Sequence, residues 1–148
     1  SWIYGVGYGS RDKVNEGSEN EYEKYYVDMR YWDDGNASAT FPVVSLPSGL
    51  NGNPVGVPKG YSKDTASTSF STLPLTLVDT VELSAFDGTN GVRTKDGYYA
   101  IADNVGVYVS ARKEFISLSN AKINYKNFRL YANKTAENGG KIRVIIAN

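Results

Sequence analysis

The chain of 148 residues contains neither cysteine nor histidine, and these two absences exclude several classes of function. Without cysteine no disulfide framework can form, so the hydrophobic core and the strand edges must hold the fold together. Without imidazole or thiolate ligands, a zinc site or another transition-metal site of the usual kind is excluded. The commonest nucleophile–base pairs of hydrolytic enzymes are missing for the same reason.

Other catalytic groups are present but do not form a convincing site. A pair of carboxylates could serve a glycosidase, and the local candidates are Glu21, Glu23, Asp33 and Asp34. Glu21 and Glu23 would share one face at the edge of a strand, where carboxylates are usually just solvated. Serine and lysine are plentiful, but nothing in the sequence places one against the other. We therefore expect a protein that is not an enzyme.

The chain also lacks a long apolar run and an excess of charge of either sign. Without a long apolar run, no segment is expected to span a bilayer. Sixteen basic and sixteen acidic residues cancel, so a strongly basic surface for nucleic acid is not expected. The charges are uneven along the chain, because residues 12–34 are mainly acidic and residues 112–143 mainly basic. These segments could be neighbouring strands whose charges pair, or opposite faces that guide head-to-tail association.

The first residue is serine, which fits a processed secreted protein or an excised domain. Two glycosylation sequons, at Asn36 and Asn133, are compatible with secretion, although such triplets also arise by chance. We expect an extracellular or virion-surface location.

The opening stretch SWIYGVGYGS has glycine at positions 5, 7 and 9, which is superficially like a phosphate-binding loop. A dinucleotide fingerprint needs a third glycine at a different spacing and a helix directly afterwards. Here Tyr8, Gly9 and Ser10 follow Gly7, then a polar segment, and no Gly-Lys-Ser/Thr occurs anywhere. A nucleotide site is therefore not expected.

The dominant hydrophobic period is two, which is typical of β-strands. Residues 25–32 alternate in this way, and short strands follow near 39–46, 98–102, 105–111, 114–118, 121–132 and 141–147. Residues 47–60 hold four glycines, three prolines and two asparagines, so they are predicted to form a long surface loop. Asp79 is predicted to mark a bend or a bulge. A further bulge near residues 126 and 127 would put Ile123 and Tyr125 on the same face as Phe128 and Leu130. The stretch ENGG at 137–140 is predicted to supply the final hairpin turn. The prediction is an all-β, single-domain antiparallel β-sandwich or jelly roll over residues 1–148, with about nine strands and no convincing helix.

A calcium site is the one metal site that the composition leaves open. Asp33, Asp34 and Asn36 offer two carboxylates and an amide at one turn, and residues 87–90 offer a similar set. Asp, Asn and Gly are also the ordinary residues of tight turns, so the structural explanation is the stronger one. No other cofactor is expected.

Twelve tyrosines and two tryptophans point to recognition, because flat amphipathic rings stack on sugars and anchor protein interfaces. At least half of these rings should be in the core. Tyr26 and Trp32 share a strand face with Asp28 and Arg30, so they are the better surface candidates.

Residues 1–10 are predicted to be a strand or an exchangeable arm with two unequal faces. Trp2, Tyr4, Val6 and Tyr8 lie on one face of an extended strand, and Ile3, Gly5, Gly7 and Gly9 lie on the other. Glycine at alternate positions indicates that a backbone or a wall of side chains approaches closely.

The interface candidates are accordingly Trp2, Tyr4, Gly5, Val6, Gly7 and Tyr8, and the strand could complete its own sheet or that of a second copy. The sequence thus predicts a structural subunit of an extracellular filament or virion surface that assembles by strand addition. In that case deletion of residues 1–9 should abolish polymers and leave a folded monomer. The alternative is a carbohydrate- or receptor-binding module that uses Tyr26 and Trp32.

Overall fold

The computed structural model describes residues 1–148 and contains thirteen strands, one α-helix and two short 3-10 helices. The strands are β1 (Trp2–Val14), β2 (Tyr22–Trp32), β3 (Asn36–Val43), β4 (Asn51–Pro58), β5 (Leu73–Pro74), β6 (Thr76–Val81), β7 (Phe86–Asp87), β8 (Gly91–Thr94), β9 (Gly97–Ile101), β10 (Gly106–Val109), β11 (Glu114–Ser117), β12 (Phe128–Ala132) and β13 (Lys141–Ala147). The helix α1 is Leu118–Asn124, and the 3-10 helices are Leu83–Ala85 and Ala136–Asn138. None of the helices is long and apolar enough to cross a membrane.

The strands form two sheets, of five and of eight strands, which confirms the all-β prediction and agrees with the β-sandwich class. The predicted count of nine strands was too low, because several two- to four-residue strands leave no readable alternation in the sequence. Contacts divide the chain into two compact units, residues 1–30 with 38–72 and residues 31–37 with 73–148. The prediction of a single domain stays a prediction.

In the first unit, β1 is an internal strand of its sheet, in the order β3-β2-β1-β4. It runs antiparallel to β4 from Trp2 opposite Pro58 to Tyr8 opposite Asn51, with a register shift between Gly7 and Tyr8. The fully buried apolar side chains of this unit are Val6, Val27, Met29, Phe41 and Val57. Val57 and Met29 lie on the glycine face of β1, whereas Val6 is buried on the opposite face.

The glycine face of β1 is closely covered, as the alternation predicts. A methyl group at Gly7 would lie 3.0 Å from Val55 Cγ2, 3.1 Å from Leu50 Cδ2 and 3.3 Å from Met29 Sδ. These side chains belong to the same chain, so β1 completes its own sheet in this structure.

The prediction of a long surface loop over residues 47–60 is wrong, because residues 51–58 form β4. Gly52, Pro54, Gly56 and Pro58 give this segment the composition of a loop. Pairing with β1 overrides that composition, and Val55 and Val57 are buried. Only long-range contacts reveal such a strand.

In the second unit, β13 is the strand around which the sheet is built. It runs antiparallel to β12, and it pairs in parallel with β10 and with β9, so this sheet is mixed rather than purely antiparallel. The fully buried side chains of the second core include Val92, Val107, Phe128, Leu130, Ile142 and Ile145.

The predicted strand over residues 121–132 is wrong in its first half. Residues 118–124 form α1, and Ser117 caps the helix by accepting a hydrogen bond of 3.1 Å from the backbone N–H of Asn120. Ile123 is 80% exposed on this helix, whereas the strand prediction placed it with Phe128 in the core. Seven residues are too few for a helical period to compete with the alternation around them.

Two local predictions are confirmed. The register of β6 against β12 passes from Asp79 opposite Leu130 to Leu77 opposite Tyr131, so Val78 is the extra residue of a bulge next to Asp79. The stretch ENGG connects β12 to β13 as predicted, and Gly139 has a φ of 79° there.

The acidic and basic segments are not neighbours in one sheet. Residues 12–34 fall mainly on β1 and β2, whereas residues 112–143 fall on strands of the other sheet. The expected pairing of their charges across neighbouring strands is therefore wrong.

Candidate functional site

A groove of about 540 Å³ lies in the first unit, where β2 begins and β3 ends. The segment between β4 and β5 forms its remaining wall. The residues that line the groove are Tyr22, Glu23, Lys24, Tyr25, Tyr26, Pro42, Val43, Val44, Lys63, Asp64 and Ala66. We call it the tyrosine groove.

Strand alternation places aromatic rings in this groove. Val27 and Met29 are buried on the inner face of β2, so Tyr22, Lys24 and Tyr26 lie on its outer face. Tyr22 is 50% exposed and Tyr26 is half-buried. The two rings are therefore available at the surface yet held by a strand.

The end of β3 forms an apolar border of the groove, and it also binds the segment between β4 and β5 that forms the remaining wall. The carbonyl of Pro42 accepts a hydrogen bond of 3.4 Å from the N–H of Ser67, and the N–H of Val44 donates one of 3.3 Å to the Ser67 carbonyl. Val44 is 52% exposed, so it presents apolar surface to the groove. The backbone thus fixes the segment around Ser67 beside β3.

The segment that contains Lys63 and Asp64 is fixed on both sides. Before it, the Ser62 hydroxyl accepts hydrogen bonds from the N–H groups of Asp64, at 3.1 Å, and Thr65, at 3.2 Å. After it, the ring of Phe70 packs on Tyr61, with ring centres 5.0 Å apart, and on Phe41 at 5.7 Å. This wall is therefore held in place by aromatic packing and local turns.

Charges in the tyrosine groove are balanced. Glu23 and Asp64 are acidic, and Lys24 and Lys63 are basic. The hydroxyl of Tyr25 donates a hydrogen bond of 2.9 Å to Glu23 Oε2, and the Arg11 guanidinium lies 5.9 Å from the centre of the Tyr25 ring. That hydrogen bond, together with the negative charge of Glu23, raises the pKa of Tyr25 above its ordinary value.

The groove combines ring faces, an apolar rim and both donor and acceptor groups. No single sign of charge dominates this set, so its chemistry matches an amphipathic, uncharged molecule better than an ion. The chain has no histidine or cysteine to provide a nucleophile–base pair of the common kind. Nowhere do three or more acidic side chains come together in a way that could hold a metal ion.

Of the two predicted glycan-binding residues, only Tyr26 lines this groove. Trp32 is half-buried in the second unit, where a methyl group at Gly106 would lie only 2.3 Å from its Cβ. Sequence reasoning missed Val44, Lys63 and Asp64 as lining residues. The alternation along β2 is enough to place Tyr22 and Lys24 on its outer face with Tyr26. No pattern in the sequence near Ser67 indicates that this segment packs beside β3.

Of the predicted calcium ligands, Asp33 and Asp34 lie in the turn between β2 and β3, and Asn36 is the first residue of β3. Asp33 and Asp34 are exposed, and the N–H of Asp33 donates a hydrogen bond of 2.9 Å to the carbonyl of Gly35. The Asn36 side chain binds the backbone of Phe115 twice. Its Nδ2 donates to the carbonyl at 2.8 Å, and its Oδ1 accepts from the N–H at 2.6 Å. Asn36 is therefore explained structurally, and the calcium site stays a prediction.

The same contacts bear on the predicted glycosylation sites. The amide nitrogen of Asn36, which would carry the sugar, is engaged with Phe115. Asn133 is half-buried, and its Oδ1 accepts a hydrogen bond of 3.0 Å from the N–H of Lys141. Glycosylation at either residue stays a prediction.

The predicted interface residues lie in the sheet of their own chain. Gly5, Val6 and Gly7 are buried, Tyr4 and Tyr8 are half-buried, and Trp2 is 39% exposed. This arrangement is the intramolecular alternative, and exchange with a second copy stays a prediction.

No family model, curated protein or solved structure matches this chain.

Proposed function

We propose that this chain is a non-enzymatic binding module that recognises an uncharged carbohydrate in the tyrosine groove. The observation that carries the proposal is the grouping of Tyr22 and Tyr26 with the exposed Val44 in one groove of about 540 Å³. That volume lies within the range of roughly 300–1,000 Å³ that is typical of small-ligand sites.

The chemistry of the lining supports a sugar over other small ligands. The faces of a sugar ring carry C–H groups that pack on tyrosine rings, and its hydroxyls need both donors and acceptors. Lys24 and Lys63 are donors, whereas Glu23 and Asp64 are acceptors, and their charges cancel. A strongly anionic or cationic ligand would meet a repulsive partner as well as an attractive one.

The wall is fixed before any ligand arrives, which favours binding because little ordering is needed. Ser62, Ser67 and Phe70 hold the segment of Lys63 and Asp64 without lining the groove themselves. The module would thus bind its ligand with little rearrangement.

A glycan array with the full chain, followed by calorimetry on the best neutral oligosaccharide, tests this function. Tyr22→Ala should lower the affinity about tenfold or more, because a stacking ring is lost. Tyr98→Ala is a matched control, since Tyr98 has a similar exposure of 52% and lies outside the groove. Binding to no glycan on a broad array, or equal losses in both variants, would contradict the proposal.

Assembly by exchange of β1 is the second candidate. Strand exchange re-creates the contacts of the monomer between copies, so the tight packing of Gly7 against Leu50 and Val55 could equally form in an assembly. The exposed connector of residues 15–21, with Gly17 at a φ of 81°, is the kind of segment that can reverse or open. Extracellular or virion-surface filaments would be the setting for such assembly.

This candidate needs a test other than removal of the strand. Deleting residues 1–9 would take an internal strand and the buried Val6 out of the first unit, so the monomer would lose its core as well. Light scattering after size-exclusion chromatography of the full chain should instead show concentration-dependent oligomers. Trp2 and Pro58 are register partners, so in the double variant Trp2→Cys/Pro58→Cys a disulfide can form wherever β1 pairs with β4. Exchange would join two copies covalently, so oxidised oligomers should give dimers or longer products on non-reducing SDS gels. Oligomers whose chains all run as monomers on such gels, with the disulfide formed, would exclude exchange.

A further inference from the structure

A second groove, of about 490 Å³, lies in the second unit and is independent of the tyrosine groove. It is formed by the first half of β6, by β9 with the turn before it, and by the segment that follows β12. The residues that line it are Thr76, Leu77, Val78, Asp96, Tyr99, Lys134, Thr135, Ala136 and Glu137. We call it the Tyr99 groove.

The walls of this groove are held by strand pairing and by a hydrogen-bonded turn. Thr76 and Leu77 pair with Ala132 and Tyr131 of β12. The segment from Lys134 onward is closed by a hydrogen bond of 2.8 Å from the N–H of Gly140 to the Thr135 carbonyl. There is no room for a side chain at Gly140, because a methyl group there would lie 1.9 Å from the carbonyl oxygen of Lys134.

Tyr99 is the first sign that the groove receives a ligand. Its side chain is only 4% exposed, and its hydroxyl makes no hydrogen bond to any other group of the protein. The hydroxyl is not one of the enclosed atoms that lack a partner, so it is open to the groove that its side chain lines. Because Tyr99 forms part of the groove wall, a molecule in the groove can supply that partner.

The charges of the groove indicate what that molecule is. Asp96 and Glu137 are both exposed carboxylates, and Lys134 is the only basic lining residue. None of the three forms an ion pair within the chain. The lining of the groove therefore carries one uncompensated negative charge.

An apolar surface accompanies these polar groups. Leu77 is 44% exposed, and it lies in the same groove as Val78 and Ala136. A ligand that carries one positive charge on an apolar stem would satisfy both kinds of surface.

We propose that the Tyr99 groove binds an alkylammonium group, with the ammonium between the Tyr99 hydroxyl and the carboxylates of Asp96 and Glu137. The alkyl stem then packs on Leu77. A free amine and the side chain of a lysine in a partner both have this chemistry.

The test is an NMR titration of the ¹⁵N-labelled full chain with n-butylammonium, n-butanol and butyrate at constant ionic strength. We expect n-butylammonium to shift the amide signals of residues 76–78, 96–99 and 134–137, and the neutral and anionic analogues to shift them much less. An N-acetylated, C-amidated Gly-Lys-Gly peptide forms a further arm. Tighter binding of the peptide indicates a lysine side chain, and binding of the amine alone indicates a free amine.

Substitutions separate the roles of the groups. Tyr99→Phe removes only the hydroxyl and should weaken amine binding several-fold, whereas Tyr98→Phe, one position along the same strand, should not. Glu137→Gln should weaken binding and reduce its dependence on salt. Equal shifts with n-butanol and n-butylammonium, no shifts at all, or unchanged affinity in Tyr99→Phe would overturn the proposal.

Discussion

Tyr25 and Glu23 lie two residues apart on β2, and the Tyr25 hydroxyl donates a hydrogen bond of 2.9 Å to Glu23 Oε2 at the border of the tyrosine groove. This bond holds the proton on the tyrosine, because a phenolate beside a carboxylate would be repelled. One pair thereby sets both the orientation of a ring and its protonation.

Glu23→Gln should return the pKa of Tyr25 toward its ordinary value of 10.0, since it removes the negative charge and weakens the bond. The measurement is a pH titration of the Tyr25 side-chain ¹³Cζ signal, assigned by comparison with Tyr25→Phe. Because the folded pKa is raised, the contribution of this pair to stability is present below pH 10 and declines as the pH rises through the folded pKa. Unchanged titration in Glu23→Gln would exclude the hydrogen bond as its cause.

Gly7→Ala should destabilise the protein by about 1–3 kcal/mol, because the added methyl group meets Val55, Leu50 and Met29 in a packed core. Urea denaturation measures this loss. Gly60→Ala is the matched control, since nothing lies within 4 Å of the position where its methyl group would be. If both variants unfold at the same urea concentration, the glycine face of β1 is not packed as described.

Asn36→Ala should cost about 1–3 kcal/mol of stability, because it leaves the backbone N–H and carbonyl of Phe115 without their partner. Asn20→Ala is a suitable comparison, since Asn20 is exposed and its side chain makes no hydrogen bond within the protein. Thermal unfolding of the two variants, with and without calcium, also tests the calcium prediction. A calcium-dependent rise in the stability of the wild type that Asn36→Ala abolishes would favour a metal role for Asn36.

Phe70→Ala should loosen the wall of the tyrosine groove although Phe70 does not line it. The substitution removes the ring that packs on Tyr61 and Phe41, so residues 62–69 should exchange their amide hydrogens faster. Binding of the neutral oligosaccharide should weaken with it, while Phe70→Leu retains part of the packing and of the affinity. Fast exchange without weaker binding would show that this wall does not contribute to recognition.

How much the sequence can predict differs between local and distant contacts. The alternation of β2 predicts both the buried Val27 and the outward Tyr26, because one strand carries its own signal. β4 has no such signal, since its glycines and prolines are tolerated only through pairing with β1. Trp32 shows the same limit. Gly106 packs closely against it, and these two residues are too far apart in the sequence for a local pattern to reveal the contact.

The candidate sites divide in the same way. Tyr26 is predictable as an outward aromatic residue, but the Ser67 contacts that build the groove beside it join residues more than twenty positions apart. Helix α1 was missed for a different reason. Its cap at Ser117 is a signal of only a few residues, and Ile123 fits the strand pattern of its neighbours equally well.

The position of β13 has a consequence for how the second unit folds. β9, β10 and β12 all pair with this one strand, and two of these pairings are parallel. During synthesis those strands therefore remain without their shared partner until residues 141–147 have left the ribosome. Non-local, parallel strand pairs form slowly. When the full chain refolds, the pairing of β13 with β9 and β10 should therefore limit the rate, rather than formation of the hairpin of β8 and β9.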